Sequence, residues 1–306
     1  MKKVITAIVI LASVFKANAQ QDIMVSQYMF NGLFLNPAYA GSHKYVSSSL
    51  TYRKQWVNFD GAPTTYLFAV DGPLMKQKMG LGLILANDKI GVTTQNDIAA
   101  NYSYFVKMGA GKLGFGLKAG ISQMSAKVSD LVVLDANDPT YSAVKKSGII
   151  PKFGFGSYYY TNNWFVGFSI PELFAGTKQK DFMATVNTTT TIRNHFYLTG
   201  GYVYKVNSMW NLKPTFLVKK EKASPTQVDL NLTVFYMDMI ALGVTYRTKD
   251  AITAMLEVQV SKQFRFGYAY DATTTDIKKY SAGTHEIMLG YSFGKDVLKT
   301  ITPRYF

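Results

Sequence analysis

The sequence predicts an all-β protein, a transmembrane antiparallel β-barrel of about fourteen strands. Three observations carry that expectation. Apolar and polar residues alternate with period two through most of the chain. Mean hydropathy is near zero, yet the longest uninterrupted apolar run after the N-terminus, Met79 to Ala86, is too short for a spanning helix, which needs ~20 residues. Aromatic residues are abundant, with 21 Tyr, 20 Phe and 3 Trp in 306 residues. A barrel wall that faces lipid outside and a polar lumen inside averages to neutral hydropathy and is rimmed by aromatic rings.

The N-terminus reads as an export signal. Met1-Lys2-Lys3 is basic, Val4 to Phe15 is apolar and Ala17-Asn18-Ala19 is a small-x-small cleavage site. Cleavage after Ala19 leaves Gln20 as the first mature residue. The competing reading, a membrane anchor, needs a longer apolar stretch. The expected organisation is a signal peptide over 1–19, a plug segment over 20–44 and a barrel over 45–306.

The plug segment shows no alternation. Asn36-Pro37 disfavours the helical region at Asn36 and removes a donor at Pro37, which predicts a turn. Met29, Phe30, Leu33, Phe34 and Leu35 need burial, and Tyr28 and Tyr39 can bridge to polar lumen groups.

In the barrel the alternation is clearest where Leu113, Phe115, Leu117, Ala119 and Ile121 oppose Lys112, Gly114, Gly116, Lys118, Gly120 and Ser122. Further strong strands lie over 98–107, 227–236, 240–247, 264–270 and 284–293. Weaker candidates are 45–53, 64–71, 79–88, 152–160, 164–170, 195–205, 210–219 and 251–260. An inner face of glycine and charge makes a poor dry core, which disfavours a soluble sandwich. Glycine on the lumen face instead leaves room for something inside. Several apolar faces finish in aromatics, among them Tyr102/Tyr104, Tyr202/Tyr204 and Tyr291/Phe293. Tyr158-Tyr159-Tyr160 and Trp164 flank a tight turn, as an interfacial girdle would.

Two connections are long, 125–150 and 171–193, and long barrel loops face the exterior. They offer Leu131, Tyr141, Pro171, Leu173, Phe174 and Phe182 as partner-binding anchors beside Lys145, Lys146, Lys178 and Lys180.

Little chemistry is visible. Cysteine is absent, which excludes disulfides and thiolate sites. His43, His195 and His285 are not spaced as metal ligands. Asp22, Asp60 and Asp71 suggest no acid/base pair. The net charge is +14, but no basic helix or Arg/Lys cluster points to nucleic acid. No enzyme, cofactor or metal is expected.

Several motifs carry a family resemblance. They are Ser26-Gln27-Tyr28-Met29-Phe30-Asn31, Leu35-Asn36-Pro37-Ala38-Tyr39-Ala40-Gly41-Ser42, Tyr52-Arg53-Lys54-Gln55-Trp56, Tyr246-Arg247-Thr248, Gly267-Tyr268-Ala269-Tyr270-Asp271 and Gly283-Thr284-His285-Glu286-Ile287. This series resembles the PorP/SprF family of Bacteroidetes outer-membrane proteins. The resemblance implies a non-enzymatic role in type IX secretion and gliding, with secreted cargo, other secretion components and outer-membrane lipid as partners. The cargo implied is a large adhesin with a C-terminal sorting domain. The resemblance also implies a FadL-like barrel whose N-terminal plug contains an Asn-Pro-Ala turn, matched here by Asn36-Pro37-Ala38. The plug motif is then Tyr28, Phe30, Asn31, Asn36, Pro37, Ala38, Tyr39 and Gly41. The alternative function is a FadL-like channel for a hydrophobic small molecule.

Overall fold

The computed structural model describes residues 23–127, 144–146, 149–175, 194–221 and 224–293. They form a closed antiparallel 14-strand barrel. The strands are β1 Val46–Lys54, β2 Thr64–Leu74, β3 Met79–Ile90, β4 Thr93–Met108, β5 Gly111–Lys127, β6 Ile150–Tyr160 and β7 Trp164–Ala175. They continue with β8 His195–Tyr202, β9 Trp210–Glu221, β10 Gln227–Tyr236, β11 Ile240–Arg247, β12 Ala251–Gln259, β13 Phe264–Thr273 and β14 Thr284–Phe293. Tyr204–Lys205 prolongs β8, and Val144–Lys146 pairs with the end of β5. Each strand pairs with its sequence neighbour, and β14 returns to β1 from Val46↔Phe293 to Lys54↔His285. Closure leaves no unpaired edge, as a lipid environment requires.

Burial follows the predicted alternation. On β4, Ile98, Tyr102 and Tyr104 are exposed while Ala99, Asn101, Ser103 and Phe105 are buried. On β11, Leu242, Val244 and Tyr246 face out, and Ala241, Thr245 and Arg247 face in. The outer surface is therefore an apolar band, and the buried interior is largely polar and charged.

All the connections between strands at one end are short, and the longest are at the other. Turns 75–78, 109–110, 161–163, 206–209, 237–239 and 260–263 lie at the end where β1 begins and β14 stops. The longest connections, 128–149 and 176–194, lie at the opposite end. Gly91 and Gly109 supply positive φ angles of 56° and 57° in two of the tightest turns. Aromatic pairs mark the short-turn end: Tyr159–Trp164 at 5.0 Å, Trp210–Tyr236 at 4.7 Å and Tyr291–Phe293 at 4.5 Å between ring centroids.

Two expectations are corrected. Tyr158 is no girdle residue: its register turns it inward, where it is buried and meets Tyr39 edge-on at 5.6 Å. The connection assumed to start at residue 171 starts later, because β7 runs on through Pro171, Leu173 and Phe174. Proline cannot donate to a ladder, so it is confined to edges and bulges. Here the register between β6 and β7 shifts between Phe153 and Phe155. Gly154 lies against the Pro171 backbone at that shift, where any Cβ would collide. The bulge accommodates the proline and the strand continues.

Candidate functional site

The N-terminal segment from Ile23 to Tyr45 runs along the inward-facing residues of the wall. It is built from three short turns, Tyr28–Phe30, Gly32–Leu35 and Pro37–Tyr39. Tyr28, Phe30, Leu33, Leu35, Ala38 and Tyr39 are buried, and Met29 and Phe34 partly so. The predicted turn is present. Asn36 is extended (φ −142°, ψ 115°), its side chain accepts from the Ala38 amide at 2.9 Å, and Pro37 opens the turn that follows. The Asn36 amide also donates to the carbonyls of Ser157 at 2.9 Å and Phe168 at 3.3 Å. One side chain thus closes its own turn and ties it to β6 and β7.

Glycines on the lumen face form the seat. A Cβ on Gly116 would overlap the backbone of Pro37 and Ala38, and one on Gly156 would overlap the Asn36 side chain. Only a glycine lets two backbones approach so closely. Hydroxyls complete the seat: Ser169 donates to the Leu35 carbonyl at 2.6 Å and Ser103 to the Ala40 carbonyl at 2.5 Å. Asn31 donates to Ser49 at 2.9 Å, and the Gly41 amide donates to Asp71 at 2.7 Å.

A buried charge cluster holds the start of the segment. Glu286 accepts the backbone amides of Ser26 and Gln27 at 2.7 and 2.8 Å. The Ser26 hydroxyl donates to Asp271 at 2.7 Å. Arg53 bridges them, at 2.8 Å from Asp271, 3.0 Å from Glu286 and 2.7 Å from the Ser26 hydroxyl. Arg247 pairs with Asp229 at 3.1 Å and lies 3.7 Å from Asp271. All five charged groups are almost wholly buried, a placement tolerated because each is paired and hydrogen-bonded.

Of the sequence-predicted plug residues, the structure brings all eight together against the wall. The proposed polar bridging by Tyr28 is not seen: its hydroxyl is buried with no hydrogen-bond partner. Burial pushes the phenols of Tyr28 and Tyr39 well above the usual tyrosine range, so both stay protonated. The cluster of Arg53, Arg247, Asp271 and Glu286 was not singled out as a site from sequence. Its signal was present, because each residue sits in a quoted motif on an inward register position. Among the partner anchors, Pro171 is buried and Leu173 half-buried in β7, and Phe174 belongs to the same strand. Leu131, Tyr141 and Phe182 lie outside the described residues, as does the signal peptide with Ala19.

A closed barrel with an apolar outer band, aromatic rims and a polar interior is a transmembrane barrel of the outer-membrane class. The chain belongs to the PorP/SprF family: the model for the type IX secretion system membrane protein PorP/SprF matches residues 17–291. A search of curated proteins finds no match. Among solved structures, the chain is similar to the Acinetobacter baumannii outer membrane protein Omp33, with 6% identity, a TM-score of 0.49, and coverage of 83% of this chain and 100% of that one. A Pseudomonas aeruginosa FadL homologue gives 12% identity, a TM-score of 0.49, and coverage of 86% and 94%. The CymD monoaromatic hydrocarbon channel gives 11%, 0.45, and 88% and 93%. The chain is thus an outer-membrane barrel of type IX secretion, a secretion and transport class of membrane protein.

Proposed function

We propose that the chain is a non-enzymatic, partner-binding barrel of the type IX secretion and gliding machinery. It binds a large secreted cargo protein, an adhesin with a C-terminal sorting domain, and helps export it or display it at the surface. Ile23 to Tyr45 acts as a plug, so the lumen is not the cargo route. The observation that carries this reading is the hold on that segment: Glu286 on two backbone amides, Asn36 on two wall carbonyls, and glycines beneath Pro37 and Ala38. A segment anchored on so many strands suits a barrel that works through its rims better than an open pore.

The cargo surface is placed on the connections at the long-loop end. Replacing 176–193 by a tight turn, which spares β7, abolishes surface labelling of the cargo while the barrel keeps its heat-modifiable gel mobility. Normal display without that connection would reject the site. One observation favours a second reading, a channel for a hydrophobic small molecule: an apolar cleft lined by Leu35, Tyr39, Tyr158 and Phe165 lies between the segment and the wall. Uptake of a labelled amphiphile by cells carrying the barrel, absent without it, would support that reading.

A further inference from the structure

Charge is distributed unevenly along the barrel axis. At the long-loop end acidic and basic residues alternate: Asp60, Asp250 and Asp276 stand among Lys249, Lys278 and Lys279, and Asp276 pairs with Lys279 at 2.9 Å. At the short-turn end the sign is nearly uniform. Lys44 precedes β1, Lys76 and Lys78 lie in the β2–β3 turn, Lys107 and Lys112 flank the β4–β5 turn, and Lys205 follows β8. Among the described residues, Asp238 is the one acidic side chain in the six turns of this end or within two positions of them.

Five of these lysines lie on the β1–β5 arc of the mouth, and Lys205 faces that arc from the end of β8. Lys107 shares the inward register of buried Phe105, Lys112 that of Gly114, and Lys205 that of buried Val203. They therefore border the lumen opening, where the apolar outer band has ended. Lys112 reaches across to the next hairpin and donates to Gln77 at 2.9 Å. Exposed methionines stand at the same end: Met75, beside Lys76, is 71% exposed, and Met237 and Met239, on either side of Asp238, are 52% and 55%. Methionine is a flexible, polarizable side chain that adapts to varied partners. Met75, Lys76 and Gln77 also hold three successive left-handed conformations, with φ of 46°, 54° and 65°. That conformation is unfavourable for residues with a Cβ and concentrates at functional sites.

We propose that this lysine collar is the docking surface for an acidic, extended segment of a protein on the periplasmic side. In outer-membrane barrels the short turns face the periplasm. Charges of one sign on facing sides of a mouth focus the field toward the axis and capture a chain of opposite sign approaching it. A lipid leaflet would be met by lysines on outward register positions, and three of these six point inward. The methionines supply apolar contact within the charged rim, the usual division of an interface. The proposal is independent of where cargo binds and does not rest on that reading.

Poly-L-glutamate is the probe, with the full-length barrel in zwitterionic nanodiscs. Binding is expected at low salt, to weaken as salt is raised, and to fall roughly tenfold or more in Lys76→Gln/Lys78→Gln/Lys107→Gln/Lys205→Gln. A smaller loss is expected in Lys76→Gln/Lys78→Gln, which is confined to one exposed turn and leaves every strand untouched. Lys278→Gln/Lys279→Gln, at the opposite end, should bind as the parent does. Undiminished binding by both collar variants would overturn the proposal. So would unchanged poly-glutamate binding with loss of phosphatidylglycerol retention, which would assign the collar to lipid head groups.

Discussion

The backbone amide of Ser26 donates to Glu286 Oε2 at 2.7 Å, joining positions 260 residues apart in the chain. The other carboxylate oxygen takes the Gln27 amide, and Arg53 donates to the same Oε2 as Ser26, at 3.0 Å. The last strand of the barrel thereby holds the segment that precedes the first. The β14–β1 seam and the start of the segment share the same side chains, because Arg53 sits on β1 and Glu286 directly opposite it on β14.

Glu286→Ala should release the start of the segment and leave Arg53 facing Asp271 without its second carboxylate. Removing one partner of a buried pair costs about 3–5 kcal/mol. The temperature at which the heat-modifiable band unfolds should drop, and limited proteolysis should cut near Ser26 in the folded barrel. Glu286→Gln keeps an acceptor for one amide and should fall between the two. An unchanged unfolding temperature in the alanine variant would show that the cluster does not anchor the segment.

Gly116→Val should lift the Asn36-Pro37-Ala38 turn off β5, because the new side chain would fill the space of the Pro37 and Ala38 backbone. The strand tolerates valine, so the barrel should still assemble. Ion conductance in planar bilayers should rise above that of the parent. Gly109→Ala serves as the comparison, since nothing crowds that site beyond a contact at 4.0 Å; its positive φ costs stability but not the seal.

Deleting 22–43 should remove the lumen filling altogether and give the largest conductance of the series, with heat-modifiable mobility retained. Every wall strand keeps both neighbours without the segment. The inward face is polar enough to hydrate. Unchanged conductance in an intact barrel would count against a plug.

Purified from the outer membrane, the chain should begin at Gln20. N-terminal sequencing or intact-mass measurement checks this. A mature chain that still carried Lys2 would disprove processing after Ala19.

The strands were legible in the sequence because period two is a local property. A side chain's direction on a strand is set by its neighbours' directions, and lipid outside with polar groups inside leaves a direct record in residues such as Leu117 and Lys118. The Asn36-Pro37 turn was legible for the same reason, since its cause lies in two adjacent residues. Where a local signal met a distant compensation, the reading failed. Pro171 looked like a strand end, but Gly154 on the neighbouring strand makes the bulge that lets β7 continue. Tyr158 looked like a rim aromatic, but its parity turns it onto Tyr39.

The sequence by itself determined a barrel wall, its strand count and a non-strand segment at its start. Only the tertiary structure decided what that segment touches. Arg53 lies 218 positions from Asp271 and 233 from Glu286, and their pairing depends on the register of β1, β13 and β14 after the barrel closes. A charge on an inward position carries no mark of its partner, because Coulomb attraction and hydrogen bonding act through space at ~3 Å and leave no period along the chain.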